Sequence, residues 1–444
     1  MRTFESDLRL RAVVGYTGDR AVPAQSRAIR ASDLDWRILE MKATTSSSSP
    51  KVQGWFIDAD AHLSEPGDLW TSRLPAKYRD RAPHIQADPE TGIESWHVAE
   101  SNPIFPVGFG AVAGWPEPFP AAPKNMAEVP PAAYDAKARL EYMDSVGIWA
   151  SAMYPNVGGF GSQAFLGLGD PELMLACVQA YNDFLIEWIS PDPRRFIPIM
   201  ATPYWDVEAS VKEIERCAKL GHRGVIFTGA PQSHGMPILG DVHWDPIWAA
   251  AQACDLPISF HIGTGGFEDV FAPSRIEATG MGCTNGYTAV SLFLENGKHL
   301  TDLLFSGILP RFPDLKFISV ESGIGFIPFV LEAADYTYEY GKIWLQRPEF
   351  TLRPSEYFAR QVYGCYIFEE LAPKRLLDVI GPDNVLFETD YPHPICLHGN
   401  VREKIDSALG EATPEVQKKL LWDNAARLYK VEAPDVPPPT HIDG

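Results

Sequence analysis

Short apolar runs alternate with amphipathic helical stretches along most of this chain, from residue 55 to residue 429. Eight of the runs have the length and the flanking residues of buried strands. Parallel strands must be joined by long crossover connections, usually helices, so this alternation predicts a parallel sheet. Eight such strands close naturally into a (β/α)8 TIM barrel. The alternative, an open doubly wound sheet, is disfavoured because no Gly-x-Gly-x-x-Gly follows any strand.

The predicted barrel occupies residues 51–432, between a flexible N-terminal extension (1–50) and a loose C-terminal tail (433–444). The extension ends in a Ser-rich stretch and Pro50, which is typical of a linker. After the first strand, which begins at Trp55 and ends in Asp60 and His62, we expect strands at 150–154, 196–201, 224–228, 257–261, 315–321, 362–367 and 385–390. We expect helices at 136–147, 171–189, 206–219, 244–254, 288–309, 324–340, 372–380, 401–409 and 414–429.

A long insertion, residues 66–135, separates the first strand from the first regular helix. It is dense in proline, which forbids long helices. It also carries aromatic residues that suit a flat substrate or ordinary packing: Trp96, Phe105, Phe109, Trp115 and Phe119. A connection of this length is usually functional, and we expect either the wall or lid of a pocket or an arm that contacts another subunit.

The charge balance and the cysteines restrict the partners and the compartment. The formal net charge of −20 argues against nucleic acid and anionic membranes as partners, since both require a basic patch. The six cysteines are scattered and form no Cys-x-x-Cys pair, which indicates reduced thiols in a cytoplasmic protein. There is no apolar run of membrane-spanning length and no secretory signal pattern at the N-terminus.

The first strand ends in polar residues that packing does not require. Asp60 and His62 are two residues apart, so strict strand alternation places them on one face and Ala59 and Ala61 on the other. A buried carboxylate beside an imidazole needs a partner, and a divalent cation is the natural one. The alternative is an ordinary polar strand end satisfied by local hydrogen bonds.

Three further strands end in residues of the same kind, namely His261, Glu321 and Asp390. Each has a structural alternative. His261 could be a hydrogen-bonded core histidine, Glu321 a carboxylate paired with a cation or a proton, and Asp390 a turn-forming residue. The carboxyl ends of all barrel strands open onto one face, where active sites of this fold lie. We therefore expect these strand ends to share one site.

The sequence resembles the amidohydrolase-related family over roughly residues 55–430. The resemblance rests on Asp-Ala-Asp-Ala-His-x-x-Glu-Pro at 58–66, His261, Glu-Ser-Gly-Ile-Gly-Phe-Ile-Pro at 321–328, Thr-Asp-Tyr-Pro-His-Pro at 389–394 and Asn-Ala-Ala-Arg-Leu-Tyr at 424–429. This branch of the amidohydrolase superfamily includes aminocarboxymuconate-semialdehyde decarboxylase and γ-resorcylate decarboxylase. The resemblance implies a metal-dependent TIM barrel.

Carried over by position, the family's metal ligands fall on Asp60, His62, His261 and Asp390. Two positions depart from the family pattern: its His-x-His is Asp-x-His here, and Glu321 stands where the decarboxylases carry a catalytic histidine. No lysine presents itself as a carbamylated bridging ligand, so we expect one divalent metal ion, Zn²⁺ or Mn²⁺. A homodimer is expected from the resemblance alone.

The expected catalytic groups are Asp390, Glu321 and His261 beside the metal. Asp390 is placed to orient or deprotonate a water molecule, and Glu321 to move protons if burial raises its pKa. Tyr204, Trp205 and His393 are candidate substrate-binding residues, although each also suits packing or a surface loop.

The leading functional hypothesis is cleavage of a bond next to a carboxylate or carbonyl of a small molecule. Nonoxidative decarboxylation of an aromatic or unsaturated acid comes first, and metal-dependent hydrolysis of a C–C, ester or amide bond second. A third possibility is a barrel without catalysis that serves as a binding subunit. Serine-hydrolase chemistry is set aside because no Gly-x-Ser-x-Gly occurs.

Overall fold

The computed structural model describes residues 52–99, 103–265 and 273–438. The predicted N-terminal extension (1–50) and residues 439–444 of the predicted tail lie outside the described residues. The strands are β1 Phe56–His62, β2 His84–Ala87, β3 Glu94–His97, β4 Phe105–Pro106, β5 Ile148–Tyr154, β6 Phe196–Met200, β7 Gly224–Ile226, β8 Ile258–His261, β9 Phe317–Val320, β10 Val362–Tyr366 and β11 Val385–Phe387.

Helices connect most of these strands. They are α1 Leu69–Arg73, α2 Pro131–Tyr134, α3 Ala136–Val146, α4 Pro171–Trp188, α5 Val207–Leu220, α6 Asp245–Ala253, α7 Pro273–Phe305, α8 Ile308–Arg311, α9 Ile327–Gly341, α10 Pro354–Gln361, α11 Leu371–Arg375, α12 Leu377–Ile380, α13 Val401–Leu409, α14 Pro414–Lys418 and α15 Asn424–Tyr429. None of the described helices combines the length and apolar character needed to cross a bilayer.

Eight parallel strands form the barrel in the order β1-β5-β6-β7-β8-β9-β10-β11. The first and last strands meet just beyond β11, where Asp390 N–H donates to the Asp60 carbonyl at 2.9 Å and His62 N–H to the Tyr391 carbonyl at 2.8 Å. The (β/α)8 fold predicted from the alternating pattern is therefore confirmed. The carboxyl ends of all eight strands surround one opening, as that fold requires.

Two apolar clusters hold the barrel. One fills its interior with alternate strand residues, such as Ile57, Ile199 and Val320, and includes Tyr429 from α15. The other lies between the barrel and the surrounding helices. Both are nearly inaccessible to solvent, so the strand ends above them are positioned by a rigid core.

The structure differs from the predicted helices mainly where glycine or chain reversal interrupts the pattern. The predicted helix 288–309 becomes α7, which begins at Pro273, is interrupted by Gly280 (φ 79°), and ends at Phe305 before the short α8. The residues of α7 around Gly280 lack a clear apolar stripe, so the apolar pattern alone did not reveal them. The predicted helix 414–429 is divided into α14, a π-helical turn at Lys419–Asp423 and α15.

Between β1 and α3, the chain forms α1, the 3₁₀ turns Ala76–Arg81 and Val107–Gly110, and a separate antiparallel sheet of β2, β3 and β4. This segment returns to the barrel mouth, since the Val112 and Ala113 N–H groups both donate to the Pro392 carbonyl. Its aromatic residues Phe105 and Phe109 consequently reach the region above the strand ends.

Candidate metal centre

Strand β1 delivers Asp60 and His62 to the barrel opening by means of a bulge. Its pairing with β5 has one extra β1 residue between Asp58 and Ala61. Ala59 therefore packs in the interior cluster and Ala61 in the outer one, whereas strict alternation predicted one face for both. Bulges re-aim side chains, and this one leaves Asp60 and His62 together at the site.

The ends of four strands converge on one buried point. His62 Nε2 lies 3.4 Å from Asp60 Oδ1 and 3.4 Å from Asp390 Oδ1. His261 Nε2 lies 3.6 Å from Asp60 Oδ2 and 3.5 Å from Glu321 Oε2. Possible ligand atoms lie within 4.8 Å of one another in two overlapping groups: Asp60, His62, His261 and Glu321, and His62, Glu321, Asp390 and His393.

The two imidazoles are turned so that their Nε2 atoms face each other at 3.2 Å. Nδ1 of His62 lies 3.3 Å from the Pro155 carbonyl oxygen, and Nδ1 of His261 lies 3.0 Å from that of Ile262. A carbonyl oxygen only accepts hydrogen bonds, so each Nδ1 carries the proton and each Nε2 presents a lone pair. Two facing lone pairs repel each other, and a cation bound to both removes that repulsion.

The carboxylates around these imidazoles also fit a cation. Neither oxygen of Asp60 has a hydrogen-bond partner among the described residues, although the side chain is fully buried. Donor atoms that share one ion at about 2.0–2.2 Å stand roughly 3.0–3.5 Å apart. The separations of 3.2–3.6 Å among these donors match that spacing. The structure thus contains a candidate site for a single divalent metal ion.

Burial and mutual repulsion change the pKa values of the site. Burial, with the charges of Asp390 and Glu321, raises the pKa of Asp60 well above its usual 3.8. Burial also raises the pKa of Glu321 to about 8 and that of Asp390 to about 8. Burial lowers the pKa of both His62 and His261, so the imidazoles are neutral, as metal ligands must be.

His393 lies directly beside this cluster. Its ring stacks on His62 with centroids 3.9 Å apart, and its Nδ1 lies 2.9 Å from Asp390 Oδ1. The Asn156 Nδ2 donates to the Leu63 carbonyl, so the Asn156 Oδ1 must accept from His393 Nε2 at 2.8 Å. The Nε2 proton of His393 is thereby fixed, and its other ring nitrogen faces Asp390.

Several buried carboxylates that the sequence prediction did not single out hold the site's backbone in place. Asp58 accepts from Thr389 N–H at 2.8 Å and from Thr389 Oγ1 at 2.7 Å, which anchors the residue before Asp390. Glu388 accepts from the Glu321 N–H at 3.1 Å. Asp58 begins the motif at 58–66 and Glu388 directly precedes the motif at 389–394, but only the three-dimensional structure shows what they contact.

Glu321 and Asp390 both have left-handed backbone conformations, with φ of 54° and 56°. Residues other than glycine rarely adopt this region, and such strain is concentrated at functional sites. The fixed hydrogen bonds described above hold both residues in it. Their side chains are thereby held together at the strand ends.

A cavity of about 450 Å³ opens beside the cluster. His393 lines it, and so does Phe160, whose ring stacks on His261 with centroids 4.1 Å apart. Tyr204 and Trp205, predicted to bind substrate, are not among its lining residues: Tyr204 is fully buried and packs against Trp205 and Phe227.

Comparison with known proteins gives a consistent result. The family model described as Amidohydrolase matches residues 57–431. A γ-resorcylate decarboxylase of Polaromonas sp. (strain JS666 / ATCC BAA-500) is 27% identical over 311 residues, which cover 66% of this chain and 86% of that protein.

Two solved structures share the fold. An amidohydrolase from Mycobacterium avium subsp. paratuberculosis K-10 has a TM-score of 0.65 and 21% identity, covering 85% of this chain and 100% of that one. A dihydroxybenzoic acid decarboxylase from Polaromonas sp. JS666, with bound manganese and the inhibitor 2-nitroresorcinol, has a TM-score of 0.55 and 20% identity. The match covers 85% of this chain and 98% of that one.

Proposed function

Because the chain belongs to the amidohydrolase family, we propose that it is a metal-dependent enzyme that releases CO₂ from a small aromatic or unsaturated acid without an oxidant. The γ-resorcylate decarboxylase that it resembles supports this choice of reaction. The observation that carries the proposal is the pair of neutral imidazoles, His62 and His261, whose Nε2 lone pairs meet at 3.2 Å beside the unpartnered Asp60 carboxylate.

We assign the metal to Asp60, His62, His261 and Asp390. Glu321 belongs to the same group of possible ligand atoms as the first three, and Asp390 adjoins that group through His62 at 3.4 Å. Nitrogen and oxygen donors in this ratio suit Mn²⁺ and Zn²⁺, and the carboxylate content favours Mn²⁺. The manganese bound by the dihydroxybenzoic acid decarboxylase of similar fold supports that preference. When bound, the ion would polarise an oxygen of the substrate and stabilise negative charge there.

The chain's own residues supply the proton. Decarboxylation breaks the bond between the carboxyl carbon and its neighbour, leaves the electron pair on that neighbour, and requires one proton there. Glu321 and Asp390 form a buried carboxyl pair. Burial raises the pKa of each to about 8, with the charge of Asp390 contributing to the rise for Glu321, so we propose that the pair retains one proton near neutral pH. We propose that this proton is delivered to the substrate carbon, and that solvent then restores it.

The positions of the rings suit an aromatic substrate. Phe160 and His393 both line the cavity and both contact the proposed ligand imidazoles. We propose that the substrate ring lies between the cavity wall and the metal cluster, with its carboxylate toward His62 and His261. Tyr204 and Trp205 have no part in this arrangement, since they lie outside the cavity lining.

Two further proposals rest on the sequence. The scattered, unpaired cysteines support a cytoplasmic location, since every cysteine, each within the described part of the chain, is free. The family resemblance supports a homodimer. Size-exclusion chromatography with light scattering tests the second proposal, and a monomer at micromolar concentration would contradict it.

The functional test uses hydroxybenzoic acids labelled with ¹³C in the carboxyl group. With Mn²⁺, the wild type should release labelled CO₂ and, in D₂O, place one deuterium on the vacated carbon. His62→Ala should lose both turnover and bound metal, whereas His243→Ala, at an exposed position, should retain both. Release of two fragments that contain oxygen from water would instead identify hydrolysis and refute the proposal.

A further inference from the structure

Much of the lining of the cavity beside the metal cluster is apolar. Apart from Phe160, which stacks on His261, its apolar wall is made by Ile104, Phe105 and Phe109 from the insertion and by Val157 from the segment after β5. Among the described residues that line the cavity, none is Lys, Arg, Asp or Glu. An anion placed there would lose its water without gaining an opposite charge, which costs several kcal/mol.

The two amide side chains that line the cavity each donate one hydrogen bond within the protein. Asn156 donates to the Leu63 carbonyl at 2.7 Å, and Gln163 donates through Nε2 to the Gly263 carbonyl at 3.1 Å. The remaining Gln163 atom, Oε1, is an acceptor without a hydrogen-bond partner among the described residues. An acceptor repels a carboxylate, and neither amide carries the positive charge that a second acidic group would need in an apolar surrounding.

The cavity is also larger than one ring requires. Its volume of about 450 Å³ exceeds the roughly 150 Å³ that suffices to hold benzene in an apolar protein cavity. It falls within the range of about 300–1,000 Å³ that encloses larger ligands. The ring bound beside His393 and Phe160 therefore has space for a substituent several carbons long.

We propose that the substrate is an aromatic acid with a single carboxylate and an apolar ring substituent, and that the cavity rejects a second carboxylate on that side. This inference rests on the proposed decarboxylation for the position of the reacting carboxylate. The specificity-determining residues are those of the apolar wall, Ile104, Phe105, Phe109 and Val157.

The test compares matched acids with the Mn²⁺-loaded enzyme. The kcat/KM for 5-propyl-2-hydroxybenzoate should exceed that for 4-hydroxybenzene-1,3-dicarboxylate on the order of 100-fold, because the second carboxylate must be buried unpaired. The same comparison is made with the substituent moved to the neighbouring ring position. Equal or faster turnover of the dicarboxylate at both positions would overturn the proposal.

A charge-reversing variant provides the second measurement. Ile104 lines the cavity and is 40% exposed, so Ile104→Arg can place a cation at the wall while its stem follows the apolar surface. Ile104→Arg should reduce the ratio of kcat/KM for the propyl acid to that for the dicarboxylate by about tenfold or more, because it adds one charge pair. The control Ile238→Arg, at a 61% exposed position away from the cavity, should leave it unchanged. Equal effects of both substitutions would refute the role of the wall.

A binding measurement separates this proposal from the proposed reaction. Calorimetry compares 4-propyl-2-nitrophenol with 4-hydroxy-3-nitrobenzoate on the Mn²⁺-loaded protein. If no acid releases CO₂ but 4-propyl-2-nitrophenol binds at least tenfold more tightly than 4-hydroxy-3-nitrobenzoate, the proposed reaction is refuted and the proposed apolar preference stands. If CO₂ is released but the carboxylate compound binds as tightly, the reaction stands and the preference is refuted. Failure of both compounds to bind also refutes it.

Discussion

Asp60→Asn tests the metal centre because it removes a charge and keeps the shape of the side chain. Asp60 is fully buried, and its oxygens lie 3.4 Å and 3.6 Å from the Nε2 atoms of His62 and His261. In the metal-free protein, burial and the neighbouring carboxylates raise the pKa of Asp60, so its ionised form opposes folding. With metal bound, the same charge stabilises the complex. The substitution should therefore act in opposite directions in the two states.

The magnitude follows from linkage. A ligand present at 100 times its Kd stabilises the folded state by about 2.7 kcal/mol. The entropy of unfolding is about 2.1 cal/mol/K per residue, so for a chain of this length 1 kcal/mol corresponds to roughly 1 °C. Wild-type protein should therefore gain about 3 °C in Tm with Mn²⁺ at that concentration. Asp60→Asn should gain less than about 1 °C at the same Mn²⁺ concentration, yet its metal-free Tm at pH 8 should exceed that of the metal-free wild type.

Calorimetric unfolding with and without Mn²⁺, together with metal quantification, provides the assay. Asp302→Asn serves as the matched control, since this partly buried aspartate lies on α7 and outside the candidate ligand groups. The control should keep the wild-type response to Mn²⁺. If Asp60→Asn shows the wild-type metal content and the full increase in Tm, Asp60 is not a ligand and the reasoning from unpartnered oxygens is wrong.

Three other predictions follow from the same geometry. The raised pKa values of Glu321 and Asp390, each about 8, mean that the folded metal-free protein holds protons which the unfolded chain releases. Its Tm should therefore fall from pH 7 to pH 8, above the range in which the lowered pKa values of His62, His261 and His393 act in the opposite direction, and it should fall less in Glu321→Gln; equal slopes would contradict this. Asn156→Leu should lower the free energy of unfolding, measured in urea, by about 1–3 kcal/mol, because His393 Nε2 loses its hydrogen-bond acceptor. The substitution should also lower kcat and leave the metal content unchanged. An unchanged kcat would argue against a role for that hydrogen bond. Phe160→Ala should raise KM for an aromatic acid roughly tenfold and leave metal content unchanged in the same assays, and a loss confined to kcat would place the substrate ring elsewhere.

The sequence was sufficient to predict the fold and the convergence of the strand ends. Both depend on local patterns, because apolar runs of period two and helical spacing specify the elements and right-handed parallel connections specify the barrel. The family resemblance and the barrel are confirmed. Asp60, His62, His261 and Asp390 meet as expected, while their roles as ligands stay predictions.

Other features depend on contacts between distant parts of the chain. Nothing local in the sequence shows that the Glu321 carboxylate lies 3.5 Å from Nε2 of His261, next to the proposed metal ligands. The bulge at Asp60 requires the pairing with β5. Tyr204 and Trp205 follow a strand end, as the other site residues do. However, Tyr204 is buried in the core, Trp205 is partly buried against it, and neither lines the cavity.

The charge balance of the cluster explains why the departures from the family pattern belong together. Asp60, Glu321 and Asp390 bring three carboxyl groups to one buried point, and a divalent cation neutralises two of them. A third ionised carboxylate would repel an acidic substrate in a place of low dielectric. One proton must therefore remain on the Glu321–Asp390 pair when the acid binds, and the raised pKa values of both groups favour it. The proton required by the proposed reaction is thus consistent with this buried carboxyl pair.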